Sequence, residues 1–328
     1  MRKILLAAAG LLALILPTQL QAQTDFPTKP IRIIIGGGAG GATDIVARLI
    51  ADDMQAFLGQ PVVVENKPGG GGLVAMDYYS RLPADGHTLI AGSSTFVMAP
   101  MLYSEKMKYD YYKVFRPLAA LNTIPAFLVA TKEDFAPKSV QELIDYAKAH
   151  PGQVRYGSAG IGGIQHWHTM IFAKQAGIDV VHIPNTDGAP AFMADLARGD
   201  THFVDNANIA IARPLVDAGK VLPLAVDTEE RVAEYPDVPT LGEVGFPNVK
   251  AQQWGALFIN RETPQEIQDK LHAAVAAALN SPTVKANLAK QGFIPVQFAT
   301  QAEDEAWVAE RTAAWAEIVE IVGTDIVK

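Results

Sequence analysis

A chain of 328 residues, 49% of them hydrophobic, is long enough for two domains with a core in each. Its formal net charge of −8 argues against nucleic acid and anionic membrane surfaces as partners. The absence of cysteine excludes a disulfide framework, a thiolate nucleophile and Cys-bound zinc.

The chain begins with basic Met1-Arg2-Lys3, an apolar run from Ile4 to Leu16 broken only by Gly10, then Pro17 and the small Ala22. This is the pattern of a secretory signal peptide over residues 1–22, too short to span a bilayer. Export to the periplasm is therefore expected. Ile31–Ile35 reads as a strand covered on both faces. It runs into Gly36-Gly-Gly-Ala-Gly-Gly41, and a helix opens at Ala42-Thr43 with Asp44 in its first turn. Such a turn presents bare N–H groups at the positive end of a helix dipole and holds an anion without lysine or arginine. Ile45, Val46, Leu49, Ile50, Met54, Ala56 and Phe57 trace the apolar stripe of that helix.

Pro61–Val64 is a second strand, Lys67–Gly72 a loop, and His87–Ala91 a third strand ending in Gly92, Ser93, Ser94 and Thr95. Ser139 with Glu142, and Thr263 with Glu266, read as capping boxes. Between them Val154–Tyr156 leads into a second turn, Gly157-Ser-Ala-Gly-Ile-Gly-Gly163, and a helix carrying His166 that stops at Gly177. Two strand–glycine loop–helix units can converge on one ligand across a cleft. Strands and helices alternate throughout, as in an α/β protein.

The candidate site is Gly38, Ala39, Gly40, Gly41 and Asp44 from the first unit, with Ser93, Ser94 and Thr95. The second unit adds Ser158, Ala159, Gly160, Gly162 and His166, joined by Asn185 and by Asn206 at the end of the Thr201–Val204 strand. These are mostly neutral donors, suited to reversible capture of a small carboxylate rather than turnover. Asp44 has a second reading as a mere complement to the helix dipole. His166 and His168 lie two apart on a helix and point to different faces, so no metal site is expected. Trp167 and Trp254 read as packing residues. A competing reading is a dinucleotide-binding oxidoreductase, because Gly36-x-Gly38-x-x-Gly41 follows a strand and Glu65 ends the next one. Export argues against it, since free nicotinamide cofactor is cytoplasmic.

Several longer stretches carry a family likeness. Phe26–Ile35, Thr43–Arg48, Gly59–Gly69, Ala84–Leu89, Tyr156–Gly163 with His166, and Pro236–Leu241 with Glu243 and Gly245 together resemble the Bug family, the TctC-like solute-binding proteins of tripartite tricarboxylate transporters. Trp254 and Thr263-Pro264 complete the pattern. The resemblance implies a type II periplasmic binding-protein fold, two α/β domains joined by a hinge with the ligand cleft between. Domain 1 would span 26–125 and 252–328, and domain 2 would span 126–251. It also implies a monomer without cofactor or enzymatic activity, closing on a mono- or dicarboxylic acid, aromatic ones included, and delivering it to membrane permease subunits. Two departures stand out. Gly36, Gly37 and Ala39 occupy a loop that usually carries prolines, and Asn185-Thr186-Asp187-Gly188 follows His182-Ile183-Pro184 where the family commonly has Tyr-Lys-Gly. The lost lysine disfavours a tricarboxylate such as citrate.

Overall fold

The computed structural model describes residues 25–161, 163–185, 187–246 and 253–323. The expected signal peptide, residues 1–22, lies outside them. The chain first forms β1 (Ile31–Ile35), α1 (Ala42–Leu58), β2 (Val62–Asn66), α2 (Leu73–Tyr79), β3 (Thr88–Ser93), α3 (Ser94–Tyr103), α4 (Tyr111–Val114) and β4 (Phe115–Ile124). After Pro125 come β5 (Ala126–Thr131), α5 (Val140–Ala149), β6 (Val154–Ser158), α6 (Ile164–Ala176), β7 (Val180–Pro184), α7 (Ala189–Ala197), β8 (Phe203–Asn208), α8 (Ile209–Asp217) and β9 (Val221–Val226). It ends with β10 (Gln253–Asn260), α9 (Gln265–Asn280), α10 (Pro282–Lys290), β11 (Ile294–Pro295) and α11 (Gln301–Val322).

These strands make two sheets, in the orders β11-β4-β10-β3-β1-β2 and β7-β6-β8-β5-β9. In the first, β1 lies parallel to β2 and β3, with Ile33 opposite Val64 and Leu89. In the second, β6 lies parallel to β7 and β8, while β5 runs antiparallel to β8 and β9. The chain crosses between sheets at Pro125, and Ile124 at that crossing is paired with Gln253 at the start of β10. The start of β10 therefore lies beside the crossing at Pro125.

The alternation of β1 explains why almost every residue in it is isoleucine. Ile31, Ile33 and Ile35 pack toward α1 and α9, whereas Ile34 packs toward α2 and α3. Such a strand, covered on both faces, has little room for polar side chains, and each buried isoleucine contributes on the order of 2 kcal/mol. On α1 the buried stripe is Val46, Ala47, Ile50, Ala51, Met54 and Leu58. Phe57 is 48% exposed and Ala56 also faces water, so the expected stripe shifts by one residue at its C-terminal end. Trp167 and Ile171 of α6 join the first sheet's cluster with Trp254 and with Trp315 of α11. The helix that follows the second glycine loop is thus docked against the other half of the molecule.

Two capping expectations resolve differently. Ser139 accepts from the Glu142 N–H, but the Glu142 carboxylate returns to Lys138 rather than to Ser139. At α9 the helix begins at Gln265 after Pro264, and the Thr263 hydroxyl is buried without a partner. The proline displaces the cap by one position, so no box forms there. A complete capping box stands instead at Thr300 and Glu303, opening α11. It sets Asp304 to accept from the Ala120 N–H of β4 at 2.7 Å, beside a bulge in the β4–β10 ladder.

Candidate ligand site

A cavity of about 700 Å³ lies where loops of the two sheets meet. From the first sheet, Gly36, Gly37 and Thr43 line it at the start of α1, Gly70–Gly72 at the start of α2, and Ser93 and Thr95 at the start of α3. From the second, Ala159, Ile161 and Gly163 line it at the start of α6. The N-cap residues Gly41, Ser93 and Gly163 make no side-chain capping bond to α1, α3 and α6. Among the described lining residues the sole charged side chain is Lys106, and none is a carboxylate.

The first glycine loop is held in place by Asp44. This carboxylate is buried and accepts from the Gly40 N–H at 2.9 Å, from Asn66 Nδ2 at 3.0 Å and from Arg48 Nε at 3.0 Å. Although burial works against its charge, the hydrogen bonds from Arg48, Gly40 and Asn66 hold it below the usual carboxylate range. Asn66 also donates to the Gly37 carbonyl at 3.1 Å. Asp44 therefore braces the loop that borders the cavity and is not itself among the lining residues. Gly38, Ala39, Gly40 and Gly41 are exposed and also lie outside the cavity lining, which is supplied by Gly36 and Gly37. A Cβ on Gly36 would sit 2.8 Å from the Gly72 Cα, so glycine there allows two backbone segments to meet.

The second glycine loop has a parallel internal support. Ser158 is fully buried; its hydroxyl lies 2.6 Å from His182 Nε2 and accepts from the Gly160 N–H at 3.0 Å. The ring of His182 stacks between those of His166, at 4.4 Å, and Tyr156, at 4.8 Å. Burial, and then the neighbouring His182, push the pKa of His166 down to about 4, so its ring is neutral at physiological pH. Ser158, Gly160 and His166 thus build the loop from beneath, whereas Ala159 reaches the cavity. Gly162 lies outside the described residues.

The remaining candidates divide. Ser93 and Thr95 line the cavity, with their hydroxyls 3.0 Å apart, while Ser94 between them is buried. Asn185 donates to Asp195 at 2.7 Å and is not a lining residue. Asn206 is buried, with a left-handed φ of 57°, and donates to Asp227 at 2.7 Å; it belongs to the crossing between sheets rather than to the cavity. Both asparagines therefore stand outside the cavity lining, their amide nitrogens engaged by acids that folding brings to them. Glu65, the acid that a ribose-binding reading requires, is held by Lys67 at 2.6 Å and by Arg32 at 3.6 Å.

Sequence reasoning missed Gly36, Gly37, Thr43, the Gly70–Gly72 turn, Tyr103, Lys106 and Ile161 as lining residues. The run of glycines from Gly69 to Gly72, all with positive φ, was the available signal. Lys106 gave none, because it follows the far end of α3 and reaches the site only through the fold.

Two sheets flanked by helices, with a glycine-walled cavity fed by loops of both, define a two-domain solute-binding protein. The chain matches the Tripartite tricarboxylate transporter family receptor, TctC, over residues 46–324, and it belongs to that family. It is 31% identical over 324 residues to protein BugT of Bordetella pertussis, covering 98% of this chain and 96% of that one. Among solved structures it is similar to Rhodopseudomonas palustris Rpa4515 with adipate, at a TM-score of 0.79 and 31% identity over 91% of this chain and 99% of that one. It is likewise similar to R. palustris MatC with bound malate, at a TM-score of 0.74 and 32% identity over 92% of this chain and 100% of that one.

Proposed function

We propose that this protein is an exported receptor that closes on a small mono- or dicarboxylate and hands it to the permease subunits of a tripartite tricarboxylate-type transporter. The observation that carries this reading is the convergence of three helix N-termini without a side-chain cap, from both sheets, on one cavity whose described lining residues include a cation and no carboxylate. Aligned N–H groups at helix starts stabilise an anion, and being neutral they release it again. Each such bond to a carboxylate contributes about 1.5–3 kcal/mol, so three or four can offset the cost of association and give micromolar affinity. The relatives with adipate and malate bound support carboxylates as the ligand class. Family membership and the basic-then-apolar N-terminus support export. Among the described residues no helix is long and apolar enough to cross a membrane.

Capture is proposed rather than catalysis. The two bodies that close would divide near residues 125 and 252. Titration calorimetry of residues 23–328 with adipate, malate and citrate tests the reading. It predicts micromolar binding of at least one of the dicarboxylates and weaker binding of citrate. Failure of all three to bind, or citrate binding tightest, would contradict it.

A further inference from the structure

The cavity extends along α3. Ser93 and Thr95 line it where this helix starts, Tyr103 lines it where the helix ends, and Lys106 follows in a single 3₁₀ turn, Ser104–Lys106. At 1.5 Å per residue the path from Thr95 to Tyr103 is about 12 Å. The hydroxyl and helix-dipole end is therefore separated from the cationic end by most of the length of a helix. The wall also carries the apolar Leu73, Ile90 and Phe96, with Ile161 supplied by the second sheet. Ile161 is 71% exposed, an apolar side chain held in a glycine loop with little protein to cover it.

The ammonium of Lys106 lies 5.3 Å from the centre of the Tyr103 ring, which holds it at the cavity by a cation–π contact. Among the described residues it forms no ion pair, and none of those that line the cavity is an acid. A cation held over an aromatic ring in an otherwise uncharged pocket lacks only its anion. We propose that Lys106 binds the second anionic group of the ligand, and that the site is built for dicarboxylates whose ends are separated by a long apolar spacer. This rests on the carboxylate-receptor reading, with one carboxylate at the helix N-termini. The spacer lies against Tyr103 and Ile161. A short diacid cannot touch both ends, and a monocarboxylate leaves Lys106 unpaired.

The test is calorimetric titration with suberate, adipate and succinate, and with octanoate and hexanoate as the matched monoacids. The probes are applied to the wild type and to Lys106→Gln, Lys106→Arg and, as a control on an exposed neighbour, Lys108→Gln. The wild type is expected to bind suberate or adipate at least tenfold more tightly than the matched monoacid and than succinate. Lys106→Gln should weaken the long diacids about tenfold and shift the monoacids less than twofold. Lys106→Arg should keep the preference, and Lys108→Gln should match the wild type. Equal affinity for diacid and monoacid, tightest binding of succinate, or an unchanged Lys106→Gln would overturn the role of Lys106 while leaving the receptor reading intact. If no carboxylate bound the wild type, the receptor reading itself would fall, and this inference with it.

Discussion

Ser158 lies beneath the second glycine loop and is not among the residues that line the cavity. Its hydroxyl is enclosed between His182 Nε2 and the Gly160 N–H, so removing it takes a partner from the half-buried His182 ring and from the buried Gly160 N–H. We expect Ser158→Ala to lower stability in denaturant by about 1–3 kcal/mol, with ligand affinity falling as a consequence of the loosened loop. Lost affinity at unchanged stability would instead put the hydroxyl in contact with the ligand. The residue type was legible in the sequence, but its direction was not, because His182 sits on the neighbouring strand β7. Asp44 makes the same point. Its partner Arg48, one helical turn on, is a local feature, whereas Asn66 comes from the end of β2. Its three donors all come from the loop, its own helix and β2, so its acceptor capacity is spent mainly on fixing the loop. Asp44→Ala should therefore weaken binding by freeing the loop, with a matching loss of stability in the same denaturant experiment.

At the scale of elements, the strands and helices were readable because their period is a local property. The all-isoleucine face pattern of β1 and the glycine that stops α6 at Gly177 both survive in the fold. The turn between β2 and α2 was not recognised as part of the site. Gly69–Gly72 has the composition of a linker, and only its contact with Gly36 shows that it forms a cavity wall. Gly36→Val places a branched side chain where the Gly72 backbone already stands, so the two turns must separate. The expected result is a loss of about 1–3 kcal/mol of stability together with loss of carboxylate binding, read by thermal unfolding and titration. A folded Gly36→Val protein with wild-type affinity would show that these turns do not form the anion site. At α9, Thr263 and Glu266 matched the capping pattern, yet Pro264 between them occupies the cap position and leaves the threonine hydroxyl unused.

For the whole molecule, the crossing between the sheets carries two buried acids that the cavity does not use. Asp227 accepts from the Ala126 N–H at 2.7 Å, the first residue after the crossing, and Asn206 links it to Asp205. Burial raises Asp205 to about 7; burial, and then Asp205 itself, raise Asp227 to about 8. Because the folded pKa values exceed the unfolded one, the native state holds more protons between about pH 4 and 8, and stability falls as pH rises through that window. Burial lowers His166 and His202 to about 4, which opposes that fall below about pH 6.5 and is silent above it. Between pH 6.5 and 8 stability should therefore drop, on the order of 2 kcal/mol, seen as a falling Tm. Asp227→Asn should flatten the drop, since its amide oxygen can still accept from Ala126 and, once the Asn206 amide turns over, its Nδ2 can donate to the Asn206 Oδ1 that now has no partner. An equally steep profile in that variant would place the titration elsewhere. The central claim is the carboxylate site between the sheets, and thermal unfolding of residues 23–328 tests it most directly. The panel pairs mono- and dicarboxylates with their amides, and includes NAD. A Tm rise of several degrees with a carboxylate, absent for its amide, is the predicted result, since a ligand at about 100 times its Kd adds about 2.7 kcal/mol. A rise with NAD alone, equal rises with acid and amide, or none with any carboxylate would contradict it.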